Sequence, residues 1–162
     1  MRIQTLKRLV MLSVLGALTA ISANAQVDYQ FRVTIPFNFS VGSKTLPAGK
    51  YKVGRIWQSG AVVLHETFGK NRVVALAQNV EKLDIQKQSK VVFRRYGDQY
   101  FLAEVWNSSW GSGRELLKSH KERSLARQLA KHGGAPERVA VVTTNGNESG
   151  KVLRVKLRDN QR

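Results

Sequence analysis

"VVFRRYGDQYFLAEVW", residues 91–106, alternates large apolar, charged and aromatic side chains about one Gly-Asp pair. Gly97-Asp98 is a favoured two-residue hairpin turn, so the stretch reads as two antiparallel strands. Pairing outward from that turn sets Arg95 opposite Tyr100, Phe93 opposite Leu102 and Val91 opposite Glu104, on one face with Trp106. The other face carries Arg94 beside Phe101, Val92 beside Ala103 and Lys90 beside Val105. Both faces are largely apolar near the middle, which calls for a covering layer on each side. The aromatic residues are therefore read as core and not as a recognition platform. This hairpin builds.

Upstream, every odd position from Val27 to Val41 is apolar, while the even ones run Asp28, Gln30, Arg32, Thr34, Pro36, Asn38, Ser40. A period of two held that long predicts a half-buried strand. Pro36 lacks an N–H for the ladder, so the strand is either at an edge or bent there into two. "LPAGKYKV" follows, with proline and glycine placed for a type I turn from Leu46 to Gly49. Tyr51 and Val53 then face inward. Gly54 interrupts the alternation and Ile56 takes it up on the other parity, which predicts a bulge in this strand. Short strands are expected at 61–66 and 72–80, and the polar segment 81–90 is expected to be mostly loop.

Downstream, two capping-box patterns compete for one helix, Ser112 with Glu115 and Ser119 with Glu122. Leu125, Ala126, Leu129 and Ala130 share a helical face that excludes Leu116 and Leu117. The helix is therefore placed at 119–132, ended by Gly133-Gly134 and Pro136, with 114–118 extended. "RVAVVTT" and "KVLRVKLR" flank a turn-rich "NGNESG" and read as a terminal hairpin over 138–158. Leu153, Val155 and Leu157 alternate there with Arg154, Lys156 and Arg158. Such a cationic strand face either binds polyanions or protects a sheet edge from pairing.

The first 25 residues have the marks of a signal peptide: Arg2, Lys7 and Arg8, an apolar run from Leu9 to Ile21, and small residues at Ala23 to Ala25. The apolar run falls short of the roughly 20 residues that span a bilayer, so an uncleaved anchor is the lesser alternative. Export to the periplasm or beyond is expected, with 26–162 forming a single β-rich domain and no transmembrane segment in the mature chain. No cysteine is present, which excludes disulfides, thiol catalysis and cysteine-ligated metals. The chain holds 27 Lys and Arg against 11 Asp and Glu, a formal net charge of +16. That balance points to anionic partners, whether envelope polymers or a membrane surface.

Catalytic sets are missing. His65, His120 and His132 have no metal-ligand spacing to one another, and no nucleophile-elbow, zinc-protease or phosphate-cradling motif occurs. Glu104 is the one provocative carboxylate, because the turn-centred register places it on an apolar face. A buried Glu of that kind is either a general acid or the partner of an arginine, with Arg72, Arg95 and Arg114 as candidates. Neither a cofactor nor a metal is expected. The helix lacks the side chains that read bases at its tip, so no specific nucleic acid is expected.

"IPFNFSVGSKTLPAGKY" at 35–51, "VVFRRYGDQYFLAEVW" at 91–106 and "GRELLKSHKER" at 113–123 together resemble a group of small exported bacterial proteins of uncharacterised function. The resemblance covers about the first two thirds of the mature chain and implies export. It carries no activity, cofactor or catalytic residue. Leu117 stands where similar proteins have proline.

The expected architecture is mainly β: an antiparallel sandwich or small barrel of roughly seven to nine strands with one helix in the C-terminal half. The leading functional expectation is an exported noncatalytic module on anionic envelope material, contacting it through Lys121, Arg123, Arg127, Lys131, Arg154, Lys156 and Arg158. The alternative is a small-ligand carrier for a lipid or glycan, with Tyr100, Trp106 and Trp110 lining a barrel mouth. A hydrolase using Glu104 comes third.

Overall fold

A computed structural model describes residues 27–56, 59–81, 88–144 and 147–154, the last stretch together with Thr144 as backbone path alone. The expected signal segment, 1–25, lies outside these residues. Twelve strands and one helix are described. They are β1 (Val27–Ile35), β2 (Phe39–Val41), β3 (Lys44–Leu46), β4 (Gly49–Ile56), β5 (Val62–Glu66), β6 (Arg72–Ala75) and β7 (Ala77–Val80). Then come β8 (Lys90–Tyr96), β9 (Gln99–Trp106), β10 (Gly113–Leu116), α1 (His120–Lys131), β11 (Glu137–Thr144) and β12 (Asn147–Arg154).

The strands form two sheets. One runs β1-β4-β5-β6, the other β12-β11-β8-β9-β10-β7, with β2 joined in parallel to β9 and β3 paired to β2. Neither closes on itself among the described residues. Of the two expected architectures, the sandwich is the one formed. The strand number exceeds expectation because 27–41 takes the bent form at Pro36, into β1 and β2, 72–80 breaks at exposed Leu76, and β3 forms at 44–46, where no strand was expected. The second break sends β6 and β7 to different sheets.

One apolar core fills the space between the sheets. Val33, Ile35, Tyr51, Val53 and Leu64 from the smaller sheet meet Val91, Phe93, Leu102, Val105, Val139 and Val141 from the larger one. Phe39 links the two. Its ring stands edge-on to Tyr51 at 5.3 Å and to Phe93 at 5.4 Å. Tyr51 is fully buried, yet its hydroxyl donates to the Pro47 carbonyl at 2.7 Å. Burial, and then the Glu66 carboxylate, push that phenol up to about 12, so it remains a neutral donor.

The central hairpin forms at Gly97-Asp98. Gly97 has φ 60° and, among the described residues, no residue other than glycine is at positive φ, the pattern of a type II′ turn. The expected register holds for Arg95–Tyr100, Arg94–Phe101 and Phe93–Leu102, then slips by one residue. Beyond that bulge Val91 faces Val105, Val92 faces Glu104, and Lys90 faces Trp106. Because side chains alternate along a strand, a one-residue slip turns the whole remainder over. The expectation that Glu104 and Trp106 share the Phe93 face is thereby corrected. They lie on the outer face of the larger sheet, and Val105 takes the inner position.

A second bulge also lies elsewhere than expected. The β4–β5 register is continuous from Tyr51–Glu66 to Arg55–Val62, so β4 has no irregularity at Gly54. The shift is in β1, between Tyr29 and Phe31. As a result Arg55, not Ile56, continues the inward row of Tyr51 and Val53.

Helix α1 starts where the capping box placed it. Ser119 accepts a hydrogen bond from the Glu122 N–H at 3.2 Å. The N–H groups of Gly133 and Gly134 return to the Ala130 and Leu129 carbonyls and close its C-terminus. What anchors the helix is not its apolar stripe. Leu125, Ala126 and Leu129 are only half-buried, whereas Glu122 is enclosed and ion-paired to Arg94 on β8 at 2.5 Å. The predicted extended segment after Gly113 is β10, and the tail hairpin is β11–β12, at one end of the larger sheet.

Candidate functional site

With Glu122 turned to the sheet, the opposite side of α1 must face water. Lys121, Arg123, Arg127 and Lys131 are all exposed. Arg123 donates to the Lys118 carbonyl at 3.0 Å and Arg127 reaches the Ser124 hydroxyl at 3.5 Å. Among the described residues, the ion pairs join Arg94, Arg95 and Arg138 to carboxylates, and none includes these four cations. Of the tail residues proposed beside them, Arg154 is described in backbone only, paired with Val139. Lys156 and Arg158 lie outside the described residues.

The three aromatics expected to line one mouth are not brought together. Tyr100 is half-buried at the inter-sheet core, stacked on Phe37 at 3.9 Å with Arg95 5.5 Å from its ring centre. Trp110 is buried within the inter-sheet core. Trp106 is buried on the outer face, with Val92 and Ala140. The slip between Val92 and Phe93 explains the separation, since it moves Trp106 through the sheet.

Trp106 and Glu104 belong to one outer-face network. The indole Nε1 donates to Glu104 Oε2 at 2.8 Å, and Arg138 Nη2 donates to Oε1. Both carboxylate oxygens are thus engaged. Glu104 does take an arginine partner, as one of its two expected roles required, but that partner is Arg138 on β11 and not Arg72, Arg95 or Arg114. Gly113 completes the arrangement, because a Cβ there would come within 2.7 Å of the Trp106 ring. Gly113→Ala is expected to cost about 1–3 kcal/mol through overpacking and to alter the near-ultraviolet circular dichroism of the tryptophans. An unchanged spectrum and melting temperature would mean that the ring moves aside freely.

A different cluster escaped the sequence reading. Arg55 continues the inward row of β4, and Arg114 continues that of β10 two residues before buried Leu116. The two guanidinium groups therefore enter the inter-sheet space from opposite sheets. Arg55 lies 5.2 Å from the centre of the Trp110 ring. Arg114 is 9% exposed, and its Nε and Nη1 are enclosed without a hydrogen-bond partner, as is Trp110 Nε1. Burial first, and the Arg55 charge second, hold the Arg114 guanidinium below its ordinary range, though it stays charged at neutral pH. The available signal was weak: residue parity along two strands, one of which carried a wrongly expected bulge.

Among the described residues, no group of three or more His, Asp or Glu could hold a metal ion. No helix among them is long and apolar enough to cross a membrane. No protein-family model, no curated protein and no solved structure matches this chain significantly.

Proposed function

We propose that the protein is an exported, noncatalytic module that associates with anionic cell-envelope material. The observation that carries this reading is the set of exposed cations on α1, the row Arg123, Arg127 and Lys131 with Lys121 on another side, none of them ion-paired among the described residues, in a chain of net charge +16. The helix's own carboxylate, Glu122, is drawn inward, and Glu115, half-exposed on β10, is also engaged. Glu122 and Glu115 both pair with Arg94, so they do not neutralise the outward cations. The signal-like leader supports export, and the engagement of both Glu104 oxygens weighs against its use as a proton donor. Separation of Tyr100, Trp106 and Trp110 likewise weighs against a carrier with those three at its mouth.

Retention on acidic polysaccharide or on vesicles rich in anionic lipid tests the proposal. Binding should fall steeply as salt rises from low to moderate concentration, because exposed charges are screened beyond about 10 Å at 0.1 M. Replacing all four helix cations by glutamate should lower partitioning at low salt by about three orders of magnitude or more. The melting temperature should barely change, since these side chains pack against little. Retention indifferent to both salt and the fourfold replacement would overturn the proposal.

A further inference from the structure

We infer that Arg114, Arg55 and the Trp110 indole form an internal receptor for one carboxylate group, at the end of the space between the two sheets. A buried cation is expensive unless it is paired, and a broken pair leaves an uncompensated charge. Arg114 is enclosed, yet two of its three nitrogens are buried with no acceptor. Trp110 Nε1 adds a third buried donor in the same state. Arg55, close enough to act on Arg114 electrostatically, adds a second positive charge where one would already be costly. Donors without acceptors, under an excess of positive charge, are complementary to an oxyanion.

The charge balance narrows the ligand. Asp28 lies across from Arg55 in the β1–β4 register and accepts a hydrogen bond from Gln30. Even with Asp28 counted against Arg55, one positive charge is left over at Arg114, which suits a monoanion. Arginine's planar fork matches a carboxylate in two parallel hydrogen bonds. On one side the flanking side chains are apolar and buried, Val105 opposite Arg114, Val62 opposite Arg55, and Leu116, while Asn79 of β7 lies on the other side of Arg114. A carboxylate borne on an apolar or aromatic body fits both the polar and the apolar part. This site lies between the sheets, away from the outward row of α1, and does not depend on that row's binding to polyanions.

Thermal unfolding of the full chain with benzoate, hexanoate or inorganic phosphate, each against chloride at equal ionic strength, tests the inference. A ligand that binds only the folded state shifts the unfolding equilibrium about a hundredfold at a hundred times its Kd. Benzoate or hexanoate should therefore raise the melting temperature by several degrees where chloride does not. Arg114→Met should abolish that rise while leaving the ligand-free melting temperature equal or higher, because it removes a desolvated cation. Arg114→Lys keeps the charge but loses the fork, and should weaken carboxylate binding at least tenfold. Trp110→Phe should weaken it severalfold through loss of the indole donor. No carboxylate effect beyond that of chloride, or an equal effect on Arg114→Met, overturns the site. Phosphate acting more strongly than either carboxylate overturns the ligand class.

Discussion

Glu122→Ala is expected to destabilise the protein by about 3 kcal/mol, the lower end of what removing one partner of a buried ion pair costs. The reason lies in what stays behind. Arg94, 6% exposed, would keep only Glu115 at 3.3 Å and the Leu116 carbonyl at 3.2 Å. Its shortest contact, at 2.5 Å, would be gone, and Tyr96 would lose the acceptor its hydroxyl reaches at 3.4 Å. Because the helix has little buried apolar surface, it should lose order before the sandwich does. Urea unfolding followed at 222 nm and by near-ultraviolet signals would then show helix loss leading. A paired change, Arg94→Met with Glu122→Leu, should lie within about 1 kcal/mol of the parent, since no charge is stranded. Equal stability of Glu122→Ala and the parent would show that water replaces the carboxylate without penalty.

Phe93→Ala should be at least as damaging, at about 3–5 kcal/mol. Phe93 is fully buried and makes edge-on contacts with Phe37 at 5.1 Å and with Phe39 at 5.4 Å. Phe39 in turn touches Tyr51 of the facing sheet, so the ring supports the contact between layers. Phe93→Leu, which leaves less empty volume, should lose noticeably less. The denaturation midpoints of the two variants against the parent measure the difference. A domain of ordinary stability has only about 5–15 kcal/mol in hand, so Phe93→Ala approaches the limit of folding. A loss under 1 kcal/mol would mean that the sheets close over the gap.

Much of the fold was legible because its signals are local. The Gly97-Asp98 turn fixes the nearest pairs of β8 and β9 through backbone geometry alone. Ser119 caps α1 through a hydrogen bond three residues away, which the spacing of Ser and Glu already encodes. Inward placement of Tyr51, Val53, Phe93 and Leu102 follows from alternation, and each is buried. Where the pattern misled, the cause was a change of register. Neither the slip at Val92/Phe93 nor the one at Tyr29/Phe31 leaves a mark in the hydrophobic pattern. Each turns over every residue beyond it.

The candidate sites divide in the same way. That Arg123, Arg127 and Lys131 form an outward row is a property of helical spacing, so the sequence by itself determined it, as it did the overall basicity and the β class. Which charges are enclosed was decided only by the tertiary structure. Arg138 meets Glu104 across 34 residues, Glu122 meets Arg94 across 28, and Arg55 and Arg114 converge from different sheets. Such meetings depend on the face each residue takes and on how two layers align. Local propensity sets neither, because packing selects the register that fills the core, and the charged side chains follow where it leads.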